Sequence, residues 1–159
     1  SFSINSSIER RPGFMQWVDV VDGSDGRFSD SDGSYDIIYA KTKRSQANTK
    51  LRMNIAFNSR MTFEAFYQPF NVDMNYEDYY RLDEQNSFKT SSFNYSENKN
   101  FEINNQRGTF VYRWEYRPGS LLYVVYNLND NNYYSDQDGE WSQSKSNSLF
   151  LKFDYFFQS

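Results

Sequence analysis

The sequence predicts an all-β protein, and within that class an antiparallel transmembrane β-barrel of which this chain is the C-terminal portion. Three observations predict this fold. Several segments alternate between apolar and polar residues with a period of two, as strands with two different faces do. Aromatic residues make up 20% of the chain. Short turns also alternate along the chain with long polar segments, which is typical of barrels in outer membranes.

The clearest predicted hairpin covers residues 109–127. In its first half, aromatic residues and charges fall on opposite faces, with Phe110, Tyr112, Trp114 and Tyr116 against Val111, Arg113, Glu115 and Arg117. A soluble sheet turns its apolar face to a core, whereas a membrane barrel turns that face to lipid and its polar face to the lumen. The alternation alone leaves both possibilities open. The spacing of turns and loops favours the membrane.

The register of this hairpin depends on its turn. A strict two-residue turn pairs Arg117 with Ser120 and Trp114 with Tyr123. Two residues of the second strand would then join the aromatic face, namely Leu121 and Val125. Three others would lie beside the charges, namely Leu122, Val124 and Tyr126. A change of one residue in the length of the turn would reverse this assignment.

The other predicted elements follow the same plan. Besides the hairpin, strands are predicted over residues 1–21 (disturbed at Pro12 and Gly13), 35–58, 61–70 and 148–157. Short turns are predicted at residues 58–60 and 117–120, and long polar loops at 22–34, 71–105 and 130–145. The chain thus supplies about six strands, whereas single-chain membrane barrels start at about eight. We therefore expect residues 1–159 to be one segment of a larger barrel, with the remainder in an N-terminal part of the same protein. The sequence starts at Ser1 with neither an initiator Met nor a signal peptide, from which we expect a mature or partial piece of a longer protein.

Composition excludes several classes of function. The net charge is −4, with 17 basic and 21 acidic residues, which argues against a nucleic-acid surface. There is no Cys and no His, so thiolate chemistry, a Ser-His pair and a histidine-ligated metal are all excluded within this chain. No cofactor is predicted. An enzyme is the weakest of the possible classes, and Glu64 and Glu115 are the only carboxylates considered for catalysis.

Three blocks resemble a Bacteroidetes outer-membrane family. Residues 48–70 end in Tyr-Gln-Pro-Phe, and residues 113–120 read Arg-Trp-Glu-Tyr-Arg-Pro-Gly-Ser. Residues 150–157 follow the family's terminal pattern, with Asp154 where Ser is common and Phe156 where Trp is common. The family is a barrel domain of unknown function that follows a carbohydrate-binding family-nine-like domain. The resemblance implies a place in the bacterial outer membrane, contacts with its lipid, and other outer-membrane proteins or glycans as partners. It supplies no catalytic residues.

Several sets of residues are candidates for particular roles. Arg117, Pro118, Gly119 and Ser120 suit a type II turn, with Pro at the second and Gly at the third position. A charge cluster in the lumen is predicted from Arg52, Glu64, Arg113, Glu115, Lys152 and Asp154. This cluster would either fill the interior with ion pairs or select a solute. Side chains expected to face lipid are Phe110, Tyr112, Trp114, Tyr116, Phe153, Tyr155 and Phe157.

The polar loops suggest two further possibilities. Tyr76, Tyr79 and Tyr80 could present a surface to a sugar or a protein. Acidic residues spaced around a glycine suit a hard cation, although a solvated turn explains them more simply. The two acidic groups are Asp30, Asp32 and Asp36, and Asp136, Asp138 and Glu140. The predicted function is an outer-membrane barrel with a structural or ligand-binding role linked to glycans. The alternative is a soluble secreted barrel or sandwich that binds carbohydrate through its Tyr/Asn loops.

Overall fold

The computed structural model describes residues 1–23 and 25–157, and its regular structure is entirely β. No helix in this part of the chain has the length and hydrophobicity to cross a bilayer. The strands are β1 (Phe2–Asp22), β2 (Phe28–Asp30), β3 (Gly33–Asn58), β4 (Met61–Leu82), β5 (Thr90–Ser92), β6 (Phe101–Arg117), β7 (Ser120–Ser135), β8 (Glu140–Lys145) and β9 (Ser148–Asp154).

All nine strands belong to one antiparallel sheet. The order is β1-β3-β4-β6-β7-β8, and β9 also pairs with β7 on the side taken by β8. β8 and β9 therefore form one interrupted strand position, which gives the predicted number of long strands. Within the described residues β1 and the β8/β9 position are the two edges, so the sheet is open. The all-β, antiparallel prediction is confirmed.

The two ends of the sheet differ in their connections. At one end, residues 59–60 and 118–119 form tight turns between β3 and β4 and between β6 and β7. At the other end the connections are residues 23–32, 83–100 and 136–139. We call these the short-turn end and the long-loop end, and we call the adjoining parts of the sheet the short-turn half and the long-loop half.

Two of the predicted long loops are wrong in extent. Most of residues 71–82 continue β4, and β6 already begins at Phe101, so the connection within residues 71–105 shrinks to 83–100. Residues 130–145 are mostly β7 and β8, joined by a tight turn at residues 136–139. Asn and Asp are rare in strands, and their abundance here predicted loops. Every second residue from Phe70 to Met74 is nevertheless apolar. The polar residues that alternate with these apolar ones remain in the sheet because their backbone pairs with β3 and β6.

The predicted loop at residues 22–34 is also partly ordered. β2 pairs with the start of β3 as a small hairpin, with Phe28 opposite Tyr35 and their rings 5.8 Å apart. Ser24, within the same predicted loop, lies outside the described residues. β1 is one long strand with a bulge at Gly13, as predicted for the Pro12-Gly13 pair.

The register defines two faces of the sheet. Residues directly opposite each other on antiparallel strands share a face. We call the side that carries Phe110, Tyr112 and Trp114 the Trp114 face, and the opposite side the Arg113 face. Near the β6–β7 turn the register shifts by one residue, because Glu115 pairs with Leu121 while Arg117 pairs with Ser120.

This shift overturns the predicted assignment of β7. The extra residue is Tyr116, and it forms a bulge that displaces the pairing of Trp114 from Tyr123 to Leu122. Leu122, Val124 and Tyr126 consequently lie on the Trp114 face, and Leu121 and Val125 lie beside the charges. The aromatic side of the hairpin thus becomes apolar on both strands.

Candidate functional site

In the short-turn half, the Trp114 face is a continuous apolar band. The register brings residues from all the long strands onto this face, and none of them is charged. The band consists of Phe2, Ile4, Leu51, Met53, Ile55, Met61, Phe63, Ala65, Tyr67, Phe110, Tyr112, Trp114, Leu122, Val124, Tyr126, Leu149, Leu151 and Phe153. Neither a helix nor a second sheet covers it in the described chain.

This apolar band is open to its surroundings. Leu149 is 62% exposed, Phe153 67% and Phe2 63%. Burying such a side chain is worth roughly 1.5–3 kcal/mol, so a band of this size in water would forgo a large stabilisation. Soluble monomers rarely expose so extensive an apolar patch. Something apolar is therefore expected to cover it.

The apolar side changes in the long-loop half. There the Trp114 face becomes polar on the inner strands, with Lys43, Ser45, Asn71, Asp73, Glu102, Asn104, Gln106, Asp130 and Asn132. The edge strand β1 is mixed on this face, with Arg10 among the exposed Ile8, Met15, Trp17 and Val20. The Arg113 face carries the buried core, in which Ile38 and Ala40 are 0% exposed, Met74 7% and Val72 9%. Phe101 extends this core, with its ring 5.7 Å from the ring of Tyr133. The same strands are thus amphipathic in opposite senses at their two ends.

The segment between β5 and β6 covers this core. The Phe93 amide donates to the Tyr79 carbonyl at 2.9 Å, and the rings of Tyr79 and Tyr95 lie 4.9 Å apart. The Tyr95 hydroxyl donates to Asp19 Oδ2 on β1 at 2.5 Å, and Lys99 Nζ lies 3.4 Å from the same oxygen. We call residues 93–99 the strap. Its side chains reach across β3 to β1.

The contacts between the strap and Asp19 shift the pKa values of the groups that make them. Burial and the hydrogen bond to Asp19 raise the pKa of Tyr95 to about 12. The hydrogen bond from Tyr95 and the charge of Lys99 lower the pKa of Asp19. Ion pairing with Glu97, at 2.5 Å, raises the pKa of Lys99. Sequence reasoning missed Asp19, Tyr95, Glu97 and Lys99, because partners 76 positions apart leave no local pattern.

The six predicted lumen charges all lie on the Arg113 face. Arg52 and Glu64 lie on β3 and β4, while the other four lie on β6 and β9, and their grouping in one cluster stays a prediction. In the described part of the chain, the only ion pair among the six joins Lys152 Nζ to Asp154 Oδ2 at 3.1 Å. Arg52 instead covers the ring of Phe66 at 5.5 Å, and Lys152 lies over Tyr123 at 5.7 Å.

Arg52 and Glu64 border an open hollow on the Arg113 face. Its volume is about 390 Å³, and Asn54, Phe66 and Thr109 also line it. Glu64 and Glu115 lie on different strands, and the Glu115 carboxylate accepts the Gly119 amide at 2.9 Å. Glu115 is therefore engaged in the turn.

The predicted hairpin turn is present and tightly packed. Gly119 has φ +76°, which suits the third position of a type II turn. Ser120 is 0% exposed, and its Oγ accepts the Phe156 amide at 3.1 Å. Arg117 Nη1 donates to the Tyr155 hydroxyl at 2.7 Å. The end of the chain is thus fastened to the turn.

The aromatic residues predicted to face lipid divide into two groups. Phe110, Tyr112, Trp114 and Phe153 lie in the apolar band, and Tyr116 contacts the edge of Trp114. Tyr155 and Phe157 lie beyond the end of β9 at Asp154, so the predicted strand 148–157 is too long. Their rings pack together beside the turn, 4.5 Å apart.

The acidic groups considered for a cation have other partners. No group of three or more acidic residues close enough to hold a metal occurs in the described residues. Asp36 is buried and pairs with Arg81 at 3.1 Å, while Asp30 accepts the amide of Asp32. Asp136 accepts both Asn98 and Asn100 side-chain amides.

Tyr76, Tyr79 and Tyr80 do not form one loop surface. All three belong to β4, and Asp78 between them is an extra residue with φ +48°. Tyr76 and Tyr79 face the buried core, where burial raises the pKa of both. Tyr80 lies on the other face, with Lys41 Nζ 5.2 Å from its ring.

Comparison with protein families identifies the chain only at the level of its domain. The model of a domain of unknown function, DUF5916, matches residues 9–158. The chain belongs to this family. No curated protein matches the chain, and no solved structure does. Membership in the DUF5916 family agrees with the resemblance to a domain of unknown function, and the rest of that resemblance stays a prediction.

Proposed function

We propose that this DUF5916 chain forms part of the wall of an outer-membrane β-barrel, with the Trp114 face of its short-turn half against lipid. The observation that carries the proposal is the uncovered apolar band. It crosses every long strand, contains no charge, and its side chains are exposed or half-buried. Lipid covers such a band in the barrels that span outer membranes.

The Arg113 face of the short-turn half fits the lumen side of a barrel. It carries Arg52, Glu64, Arg113 and Lys152, and these charges need water or mutual pairing. One end has only tight turns, whereas two of the three connections at the other end, residues 23–32 and 83–100, are long, as at the periplasmic and extracellular rims of such barrels.

The open edges of the sheet support the presence of further strands. Backbone groups along one side of β1 and of β9 have no strand partner in the described residues. In lipid each unsatisfied group costs several kcal/mol, so an open edge does not persist there. We propose that strands from an N-terminal part of the same protein complete the barrel.

The barrel would act as a structural and ligand-binding element of the outer membrane. In this proposal it presents its long-loop end to glycans or to other outer-membrane proteins, in keeping with the carbohydrate-binding context of the resembling Bacteroidetes family. The net charge of −4 favours these partners over nucleic acid.

Fractionation of cells that express the protein tests the proposal. We expect the protein in the outer-membrane fraction, resistant to urea washing and released by detergent. A folded monomer released without detergent would contradict the proposal and favour the soluble carbohydrate-binding alternative.

A further inference from the structure

The strands are much longer than a bilayer requires. β4 has 22 residues and β3 has 26. At about 3.3 Å per residue and a tilt near 45°, strands of this length rise on the order of 50–60 Å. The hydrocarbon core is about 30 Å thick and needs about 9–11 strand residues. A large part of each long strand must therefore lie outside the hydrocarbon if the chain is a barrel wall.

The polarity of the Trp114 face changes along one row of residues. The last fully apolar row contains Leu51, Tyr67, Gly108 and Leu128. The following row contains Pro69, Gln106 and Asp130, and polar residues continue along β4 as far as Glu77 and along β6 as far as Glu102. On β1, at the edge of the sheet, the same face carries apolar residues as well. The Tyr67 hydroxyl donates to Gln106 Oε1 at 2.9 Å, so its ring lies in the band while its polar group joins the hydrophilic side. An amphipathic ring in that position is typical of a membrane interface.

The opposite face also changes along the strands. The buried residues Val72 and Met74 lie on β4 five and seven residues beyond Tyr67 of the boundary row, and the strap covers neighbouring core residues farther along the strands. A sheet with a dry inner side and a charged outer side is the arrangement expected in water. The long-loop half therefore has its own core, independent of lipid.

We infer that the bilayer covers only the short-turn half, with its boundary along the Leu51–Tyr67–Gly108–Leu128 row, and that the long-loop half is a water-exposed extension of the wall. The inference rests on the proposed membrane location and adds the position of the lipid surface. The extension carries Asp73, Glu102 and Asp130 on its outer side, which lipid tails would not accommodate.

Single-cysteine labelling can locate this boundary, because the chain contains no cysteine. We would attach a nitroxide at A65C and Y112C in the band and at D73C and N104C beyond it, all on the Trp114 face. The protein would be reconstituted in phosphatidylcholine vesicles. Accessibility to oxygen, which concentrates in lipid, would be compared with accessibility to a water-soluble nickel chelate.

We expect the oxygen-to-nickel ratio to be high at residues 65 and 112 and to invert at residues 73 and 104. Heat-modifiable gel mobility of each labelled variant checks that the barrel has formed, and E64C on the Arg113 face provides a lumen reference. Lipid-like values at all four positions would overturn the boundary while leaving the membrane location intact. Water-like values at all four would overturn the proposed function itself.

Discussion

The two halves of this sheet are built from the same strands but differ in the face on which their apolar side chains are concentrated. In the short-turn half the apolar side chains lie on the Trp114 face and are exposed, whereas in the long-loop half they lie on the Arg113 face and are buried. Strand periodicity alone cannot produce this difference, since the alternation continues without a bulge from Met61 to Glu77 in β4 and from Phe101 to Glu115 in β6. What changes is which parity is apolar. A continuous strand can therefore present its apolar side chains on one face in one half and on the opposite face in the other half, because apolar and polar residues exchange alternate positions.

The largest effect expected from this comparison is that of a charge placed in each half of the same face. Val124 and Asn132 both lie on β7 and on the Trp114 face. V124R should destabilise the folded barrel by about 2–4 kcal/mol, the cost of Arg near the middle of a bilayer. N132R should cost less, about 0.5–1.5 kcal/mol, because it removes the hydrogen bond that Asn132 Nδ2 donates to the Asn104 carbonyl at 2.9 Å. Urea unfolding in phospholipid vesicles measures both, and equal effects would remove the distinction between the halves.

The second test concerns the core of the long-loop half. Met74 is 7% exposed and packs on the Arg113 face. M74A should cost roughly 2–3 kcal/mol through lost contacts and a cavity. D73A, next to it on the opposite face, serves as the control and should have little effect. Hydrogen exchange of amides in residues 72–76 would report the loss, and unchanged protection in M74A would contradict a packed core there.

The third test concerns the turn that fastens the chain end to the short-turn end. Gly119 and Gly139 both have positive φ, but only at Gly119 would an added Cβ meet a neighbour, the Phe156 side chain at 3.1 Å. G119V should lower the stability of the fold by about 1–3 kcal/mol through backbone strain, and the contact with Phe156 should add to this loss. G139V should cause the loss from strain alone. Barrel yield and heat-resistant gel mobility would rank the two variants. A smaller defect in G119V than in G139V would show that the Phe156 packing is dispensable.

The smallest expected effect concerns the strap. Its Tyr95 has a raised pKa of about 12, so folding favours the protonated hydroxyl. The stabilisation is complete below the unfolded pKa near 10 and is lost as the pH rises from about 10 to about 12. At the acid end, the lowered pKa of Asp19 means that its contribution is lost as the pH falls below about 4.

Protease sensitivity of residues 93–99 against pH would measure this dependence. Y95F removes the hydroxyl and keeps the ring stacked on Tyr79, so it should abolish the alkaline step and retain most of the protection. A Y95F strap that still loosens between about pH 10 and 12 would assign the titration to another group. Lys99, Glu97 and Asp19 are the charged groups that face this hydroxyl.

Sequence periodicity was sufficient to predict the strands of the short-turn half and insufficient for the long-loop half. The strands with strict alternation, such as residues 51–57 and 110–114, were predicted with the correct faces because one parity is uniformly apolar. Residues 71–82 were misassigned as a loop. Asn, Asp and Glu at the exposed alternate positions obscured the strand pattern formed by Val72, Met74 and Tyr76 at the other positions.

The remaining errors have a different physical origin. The β7 faces depended on a single bulge residue, Tyr116, and local sequence does not determine whether a turn carries one. The sequence does not show which of the six charges approach one another, because shared parity places residues on one face without fixing their separation across strands. The strap network joins segments distant in sequence, and only the folded sheet brings Asp19 to Tyr95.

That long-range link also bears on the order of folding. Every principal strand pairs with its successor in a meander, so the sheet can grow by adding local hairpins, each with a small loop-closure cost. The contact between Asp19 and Tyr95 closes a loop of 76 positions and requires β1, β3 and β4 to be in place first. The strap should therefore dock late, and its protection from exchange should lag behind that of the strands beneath it.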